Sequence, residues 1–366
     1  MTTERTRIGI QGCGVISPKY LSVLMALPAV EITAVCDLVD ERAQRASQVS
    51  GAPVLDPAEF ATSDAFDILL DLTEPANHHA TEMAGLQAGK HVYCEKPQAT
   101  TFALAGELLD AADQKGVRLG TAPDTVLGTG TQTARATLDS GRIGEPRFAT
   151  AFMAGGGPDL WHPGPDFFFQ FGGGPMWDMG PYNVAALVNL LGPIVQVSAL
   201  TSGRGRDRRP MIGPHTETTF TPEVPTHVSA SLLHASGVVT TLIESWDAFG
   251  GTNLPHIEVY GTEGSMSVPD PNTHDGDVKV RARGDWELVE PWAGVVGAER
   301  GIGVADMAAA IRDGRPHRCS AELGHHAVEV MEAVVKSGEE RRFIDILSTC
   351  QRPEGVPLTP LAEWGL

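Results

Sequence analysis

Through the first third of the chain, short apolar runs alternate with stretches whose apolar residues recur at helical spacing. Arg7-Ile8-Gly9-Ile10-Gln11 is a β-type run. Leu21, Leu24 and Met25 then fall on one helical face within residues 20–27, and Pro28 closes that segment. A strand at 32–36 precedes a helix over 40–50 that Gly51 stops. A strand at 66–73 precedes a helix over 78–88 that Gly89 stops. A strand at 91–94, a helix over 102–115 and a last strand at 117–120 complete the series. Strand and helix alternating at this rate predict a doubly wound parallel sheet covered on both faces.

After about residue 123 the rhythm changes. One more helix, near 132–140, ends at Gly141. β-type runs follow at 147–153, 195–200, 227–233, 238–246 and 256–260, with hairpin turns expected around 234–237 and 261–264. Helices near 304–312 and 323–336 close the chain, and a polar loop at 202–214 is expected to be mobile. The expectation is an α/β protein of two domains: a parallel, dinucleotide-binding type over 1–123 and an α+β domain with an antiparallel sheet over 124–366.

Composition narrows the partners. A chain of 366 residues, 42% hydrophobic and 20% charged, is large enough for two cores and too apolar for disorder. The formal charge of -19, from 46 acids against 27 bases, repels phosphate backbones and anionic headgroups, so neither nucleic acid nor membrane is expected. The start is polar without an apolar signal core, and no stretch approaches the roughly 20 apolar residues of a membrane span. The cysteines (Cys13, Cys36, Cys94, Cys319, Cys350) are scattered, which fits a cytoplasmic protein with reduced thiols. His78-His79 and His325-His326 lack a third ligand at suitable spacing, and no metal is expected.

Candidate chemistry begins at the first turn, Gly12-Cys13-Gly14-Val15-Ile16-Ser17. Gly12 permits a tight turn out of the first strand. Gly14 lets backbone approach a pyrophosphate at the next helix N-terminus, which brings Val15 and Ile16 to the cofactor. Asp37, at the end of the second strand, can accept hydrogen bonds from adenine-ribose hydroxyls and repels a 2′-phosphate, favouring NAD over NADP. Arg42 keeps NADP open. A plain strand-to-helix turn and a helix cap are the alternative readings of Gly12 and Asp37. Glu95-Lys96-Pro97 follows the strand at 91–94, where side chains point into the ligand crevice. Lys96 there is either a donor to a reacting oxygen or a solvated lysine on a turn; the residues leave both open.

Gly12-x-Gly14, Thr73-x-Pro75-x-x-His78, Glu95-Lys96-Pro97 and Gly172-Gly173-Gly174-Pro175-Met176-Trp177-Asp178-Met179-Gly180-Pro181-Tyr182 together resemble the Gfo/Idh/MocA oxidoreductase family. The resemblance covers nearly the whole chain, including the late Gly314-Arg315-Pro316 turn. It implies a Rossmann domain followed by a domain with a large, open-faced, mainly antiparallel sheet. It also implies NAD(P)-dependent hydride transfer to or from a secondary alcohol of a sugar, cyclitol or related polyol. By position, Lys96 would be the catalytic lysine, Asp178 the second-domain acid, and Tyr182 would stand where many members have histidine. That departure is similar to the glucose-fructose oxidoreductase and dihydrodiol or xylose dehydrogenase branches. Thr73, Pro75 and His78 would border the nicotinamide, and Glu95 would help hold the loop and its ribose.

The chemistry of these residues agrees. Asp178 and Tyr182 share a face if their segment is one helix. A phenol of pKa ~10 is a poor base unless a cation such as Lys96 stabilises its anion, so Tyr182 and Lys96 are expected to exchange the hydroxyl proton. Trp161 and His162 are candidate substrate contacts, since sugars stack on aromatic rings. Asp124 and Gln132 are weaker candidates. Two rivals remain: a relative that oxidises its sugar transiently with bound NAD and then cleaves or eliminates, and a non-catalytic NAD(P)-binding regulator. A homodimer or homotetramer packed through the second sheet is expected, because the strand alternation implies a second apolar face.

Overall fold

The structure, a computed structural model, describes residues 5–366; residues 1–4 of the polar start lie outside it. The first sheet contains β1 (Thr6–Gln11), β2 (Val30–Cys36), β3 (Ile68–Asp71), β4 (His91–Cys94) and β5 (Leu119–Thr121), all parallel, in the order β2-β1-β3-β4-β5. Its strands read as near-continuous apolar runs because helices cover both faces: all four residues of β3 are buried. Between the strands run α1 (Ser17–Ala26), α2 (Asp40–Ser50), α3 (Pro75–Gln87) and α4 (Phe102–Lys115). Helices α1 and α3 start three residues before their apolar periodicity does, each with a proline in the first turn, where a missing N–H costs nothing. Chain order reverses across β1, whose neighbours are β2 and β3, so a crevice opens at the carboxyl ends of β1 and β3.

Helix α5 (Thr129–Asp139) leads into a nine-stranded sheet. Its strands are β6 (Pro146–Ala154), β7 (Ile194–Ser202), β8 (His227–His234), β9 (Val239–Ser245), β10 (Ile257–Gly261), β11 (Ser265–Val268), β12 (Val278–Arg281) and β13 (Glu287–Val289). After the two-residue strand β14 (Val295–Val296), which pairs outside this sheet, β15 (Ile344–Asp345) completes it; β14 pairs with β16 (Thr359–Pro360). The order is β13-β12-β11-β10-β6-β9-β8-β7-β15, and only β6 and β9 pair in parallel. The hairpins expected at 234–237 and 261–264 join β8 to β9 and β10 to β11. Val228, Ala230 and Leu232 point to the face covered by α7 (Gly180–Leu191) and α9 (Ala321–Glu340). The opposite face carries Leu200, Val239 and Phe148, which is 49% exposed and stacks on Tyr260 at 4.4 Å. The chain returns to the first sheet through α8 (Ile302–Asp313), which packs on α1 and β5, while Thr121 N–H donates to Cys319 O at 3.0 Å.

Two carboxyl groups lie beneath the crevice. Asp71 ends β3, and Glu82 on α3 is fully buried with neither carboxyl oxygen hydrogen-bonded among the described residues. The Cys94 thiol beside them donates to Thr121 Oγ1 at 3.3 Å. Burial, and next the Asp71 charge, push the Glu82 carboxyl well above the usual range. The folded state therefore keeps a proton that the unfolded chain releases above its ordinary pKa of 4.5, so Glu82 favours folding at low pH and opposes it as pH rises. Glu82→Gln, which keeps the shape without the ionisation, should raise the melting temperature by about 5 °C at pH 8 and hardly change it near pH 5. Thermal melts across that range check this; equal melting at both pH values would contradict it.

Candidate active site

The turn after β1 is built from backbone. Gly12 has φ +94°, and a Cβ there would lie 2.6 Å from the carbonyl of Leu72, so the glycine turn rests directly on the strand end that carries Thr73. A Cβ on Gly14 would meet nothing within 4 Å, which leaves open space above it. Among the described residues the N–H groups of Gly14 and Val15 find no acceptor, and the Val15 side chain is 99% exposed. Ile16 caps α1, and Ser17 Oγ donates back to Gly14 O at 2.9 Å. This open, donor-lined turn at a helix start fits a pyrophosphate. Asp37 Oδ2 accepts from Cys13 N at 2.7 Å and Oδ1 from Val39 N at 2.8 Å, which fixes the carboxylate at the end of β2 beside the turn. Gly12→Ala should therefore weaken NADH binding at least about tenfold while circular dichroism stays unchanged; a fluorescence titration checks it, and unaltered affinity would contradict the cradle.

Thr73 N donates to Asp71 Oδ1 at 2.9 Å, and Pro75 stands exposed at the start of α3. His78, by contrast, is fully buried. Its Nδ1 lies 2.7 Å from Pro97 O and its Nε2 3.0 Å from Thr73 O, so it ties together the two turns that flank the crevice. Glu95 is also occupied: Tyr20 Oη donates to Oε1 at 2.8 Å and Lys96 N to Oε2 at 2.9 Å.

Lys96 reaches across to the second domain. Its ammonium donates to Asp178 Oδ1 at 2.8 Å and to Asp178 O at 2.7 Å, and it lies 5.2 Å from the centre of the Tyr182 ring. Burial works against its charge, yet Asp178, Tyr182 and Glu95 together hold the ammonium above the ordinary lysine range. The sequence-based picture of one helix carrying Asp178 and Tyr182 needs correcting. Asp178 ends the single turn α6 (Pro175–Asp178), Met179 separates the two, and Tyr182 sits in the first turn of α7. The lysine's hydrogen bonds go to Asp178, and its charge acts on the ring. Tyr182 is 4% exposed; burial pushes its phenol up, and Lys96 and Arg300 act in the opposite direction. Arg300, absent from the sequence reading, lies with its guanidinium carbon 5.4 Å from the same ring centre. Its position just before a helix gives no linear hint of this contact.

Asp124 and Gln132 are structural. Asp124 accepts from Gly301 N and Gly303 N, and Gln132 bonds Val126 O and Val356 N. Trp161 and His162 belong to an aromatic group with Phe167 and Phe168, and Trp161 is 59% exposed. Among the described residues, no hydrogen bond or ring contact links them to Lys96, Asp178 or Tyr182. The loop at 202–214 is pinned rather than loose. Arg208, buried, donates to Asp159 at 2.8 Å, to Asp247 at 2.8 Å and to Gly156 O at 2.6 Å, which anchors the base of the aromatic loop. An arginine in a polar run reads as solvated; its acidic partners are far apart in sequence.

Comparison with known proteins agrees with this layout. Residues 6–122 match the profile of an oxidoreductase family with an NAD-binding Rossmann fold, and residues 131–267 match the GFO/IDH/MocA C-terminal domain. D-apiose dehydrogenase of Paraburkholderia graminis is 25% identical over 370 residues, covering 95% of this chain and 91% of its own. The aldose-aldose oxidoreductase of Caulobacter crescentus, solved with glycerol, shares the fold with a TM-score of 0.80 at 20% identity over 93% of this chain and 100% of that one. Levoglucosan dehydrogenase, solved with NADH and L-sorbose, does so with a TM-score of 0.80 at 21% identity over 94% and 100%. With its glycine cradle on a reversing parallel sheet and its lysine at the neighbouring strand end, this chain belongs to the Gfo/Idh/MocA family of NAD-binding oxidoreductases.

Proposed function

We propose that this enzyme oxidises or reduces a secondary alcohol of a sugar, cyclitol or related polyol, with Tyr182 as the proton-transfer group and Lys96 and Asp178 as its electrostatic partners. One observation carries the reading: the Lys96 ammonium, at the end of a strand beside the cofactor crevice, is held by Asp178 against the Tyr182 ring. When bound, NAD supplies the two-electron acceptor or donor. The chain handles the proton. In oxidation Tyr182 takes the hydroxyl proton of the alcohol, and in reduction it returns one to the carbonyl oxygen. Lys96 stabilises negative charge developing on that oxygen, and the free oxygen of Asp178 orients a neighbouring substrate hydroxyl. Trp161 and His162 form the aromatic wall on which a polyol stacks. The fixed Asp37 carboxylate repels a 2′-phosphate, which favours NAD over NADP.

A panel of sugars, inositols, 1,5-anhydro sugars and dihydrodiols, screened with NAD and NADP in both directions, tests the reading. Steady accumulation of NADH is expected. Product formed without net NADH would point instead to transient oxidation followed by cleavage or elimination. Lys96→Ala should lower kcat by about 10²–10⁴ while NADH binding survives; near-normal turnover would overturn the assignment.

The open face of the nine-stranded sheet, with Phe148, Leu200 and Val239, supports a homodimer or homotetramer in which a second copy covers it. Phe148→Glu should then lower the sedimenting mass, and an unchanged mass would contradict that packing. Five unpaired, buried cysteines suit a cytoplasmic, reducing environment.

A further inference from the structure

Arg300 has no role in the reading above, yet its turn and its guanidinium are both held by hydrogen bonds. It precedes Gly301, whose φ of +119° turns the chain into α8. Asp124, fully buried, accepts from Gly301 N at 2.8 Å and Gly303 N at 3.0 Å on one oxygen, while His274 Nε2 lies 3.4 Å from the other. Arg300 Nη2 donates to Asn272 Oδ1 at 2.7 Å. These bonds fix a guanidinium beside the Tyr182 ring on a turn that belongs to neither Lys96 nor Asp178.

The charges around the phenol show why a second cation matters. Lys96, Glu95, Arg300 and Asp178 act on Tyr182; Tyr182, Glu95, Asp124 and Tyr20 act on Arg300. Glu244 stands behind α7, bound by Asn183 Nδ2 at 2.8 Å. Lys96 donates to Asp178 through two hydrogen bonds, and the Asp178 charge offsets part of what the ammonium does for the phenol. Glu95 adds a negative charge facing the phenol, and the Asp124 carboxylate, kept ionised by its donors, faces Arg300. Without Arg300 the pocket would be net negative before Tyr182 lost any proton. Arginine also stays protonated at every working pH, whereas a lysine can titrate.

We infer that Arg300 is a positioning residue for proton transfer, whose fixed charge against the Tyr182 ring lowers the pH at which Tyr182 becomes a proton acceptor. This rests on Tyr182 being the proton-transfer group. The first measurement needs no substrate: ultraviolet difference titration of the tyrosinate signal that disappears in Tyr182→Phe. In Arg300→Met that signal should move to higher pH by about one unit or more, and Arg300→Lys should recover at least half of the shift. With saturating NAD and the most active polyol of the panel, the rising limb of kcat for oxidation should move by the same amount. Activity near pH 7 should then fall about tenfold, with recovery at alkaline pH.

An unmoved titration and limb in Arg300→Met would overturn the inference. So would a change confined to NADH affinity, which would make Arg300 a cofactor contact. Should the methionine variant fail to fold, Arg300→Gln and Arg300→Lys, compared by the same titration, decide the matter. The parent reading fails separately: full turnover with an unchanged limb in Tyr182→Phe removes Tyr182 from the chemistry, whereas an inactive Tyr182→Phe beside an unmoved Arg300→Met removes only the role of Arg300.

Discussion

Lys96 Nζ donates at once to the carboxylate and to the backbone carbonyl of Asp178, from the end of a strand in the parallel sheet to the end of a helical turn that packs on the second sheet. The pair is only partly buried, so the hydration its two charges lose and their attraction are both moderate, and the bond adds little net stability. Its effect is geometric. The pair ties the end of β4 to α6, and so the parallel sheet to the second sheet, at this point. The carbonyl contact sharpens that placement, since it reads the backbone of α6 as well as a side chain that could swing. Everything proposed for Tyr182 depends on it, because the phenol enters from the next helix and meets the lysine's charge only while this bond holds.

Around that bond, each candidate group is supported by a neighbour that does no chemistry. Tyr20 and the Lys96 N–H fix the Glu95 carboxylate, His78 joins the Thr73 and Pro97 turns, and Asp124 anchors the turn that carries Arg300. Arg208 does the same for the aromatic loop through Asp159 and Asp247. These supports come from the ends of strands and helices, so rotamers at the site are held by rigid elements rather than by loops alone. Asp71 and Glu82 below the crevice are a different matter: they are buried without full hydrogen bonding, and they lower stability at neutral pH at a place where the sheet must stay open to a cofactor.

The parts legible in the sequence are those that follow from local patterns. Continuous apolar runs marked the parallel strands, and period-two alternation marked β8 and β9 and the hairpin between them. The Gly12 turn was legible because a positive φ and close backbone approach both demand glycine, and Lys96 because strand ends face the crevice. Tertiary facts stayed hidden. Nothing local says that His78 spends both ring nitrogens on carbonyls, that Asp124 is a staple for α8, or that a polar loop is locked by Arg208. Met179 splits the Asp178–Tyr182 segment although the four-residue spacing suits an unbroken helix. Arg300 lies 118 residues from Tyr182 along the chain, and only the packing of α8 onto the first domain brings them together.

The charge of this pocket bears on the tyrosine itself. A histidine that accepts a proton passes from neutral to cationic, whereas a phenolate passes from anionic to neutral. Lys96 and Arg300, 5.2 and 5.4 Å from the ring centre, favour an anion there, while burial, Glu95 and Asp178 oppose it. Burial holds the phenol protonated and outweighs the two cations, which offset only part of it. Protonating a phenolate there removes an ion from a low-dielectric site, where an uncompensated charge costs most. The proposed role of Tyr182 as proton acceptor therefore depends on the two cations that offset part of that cost.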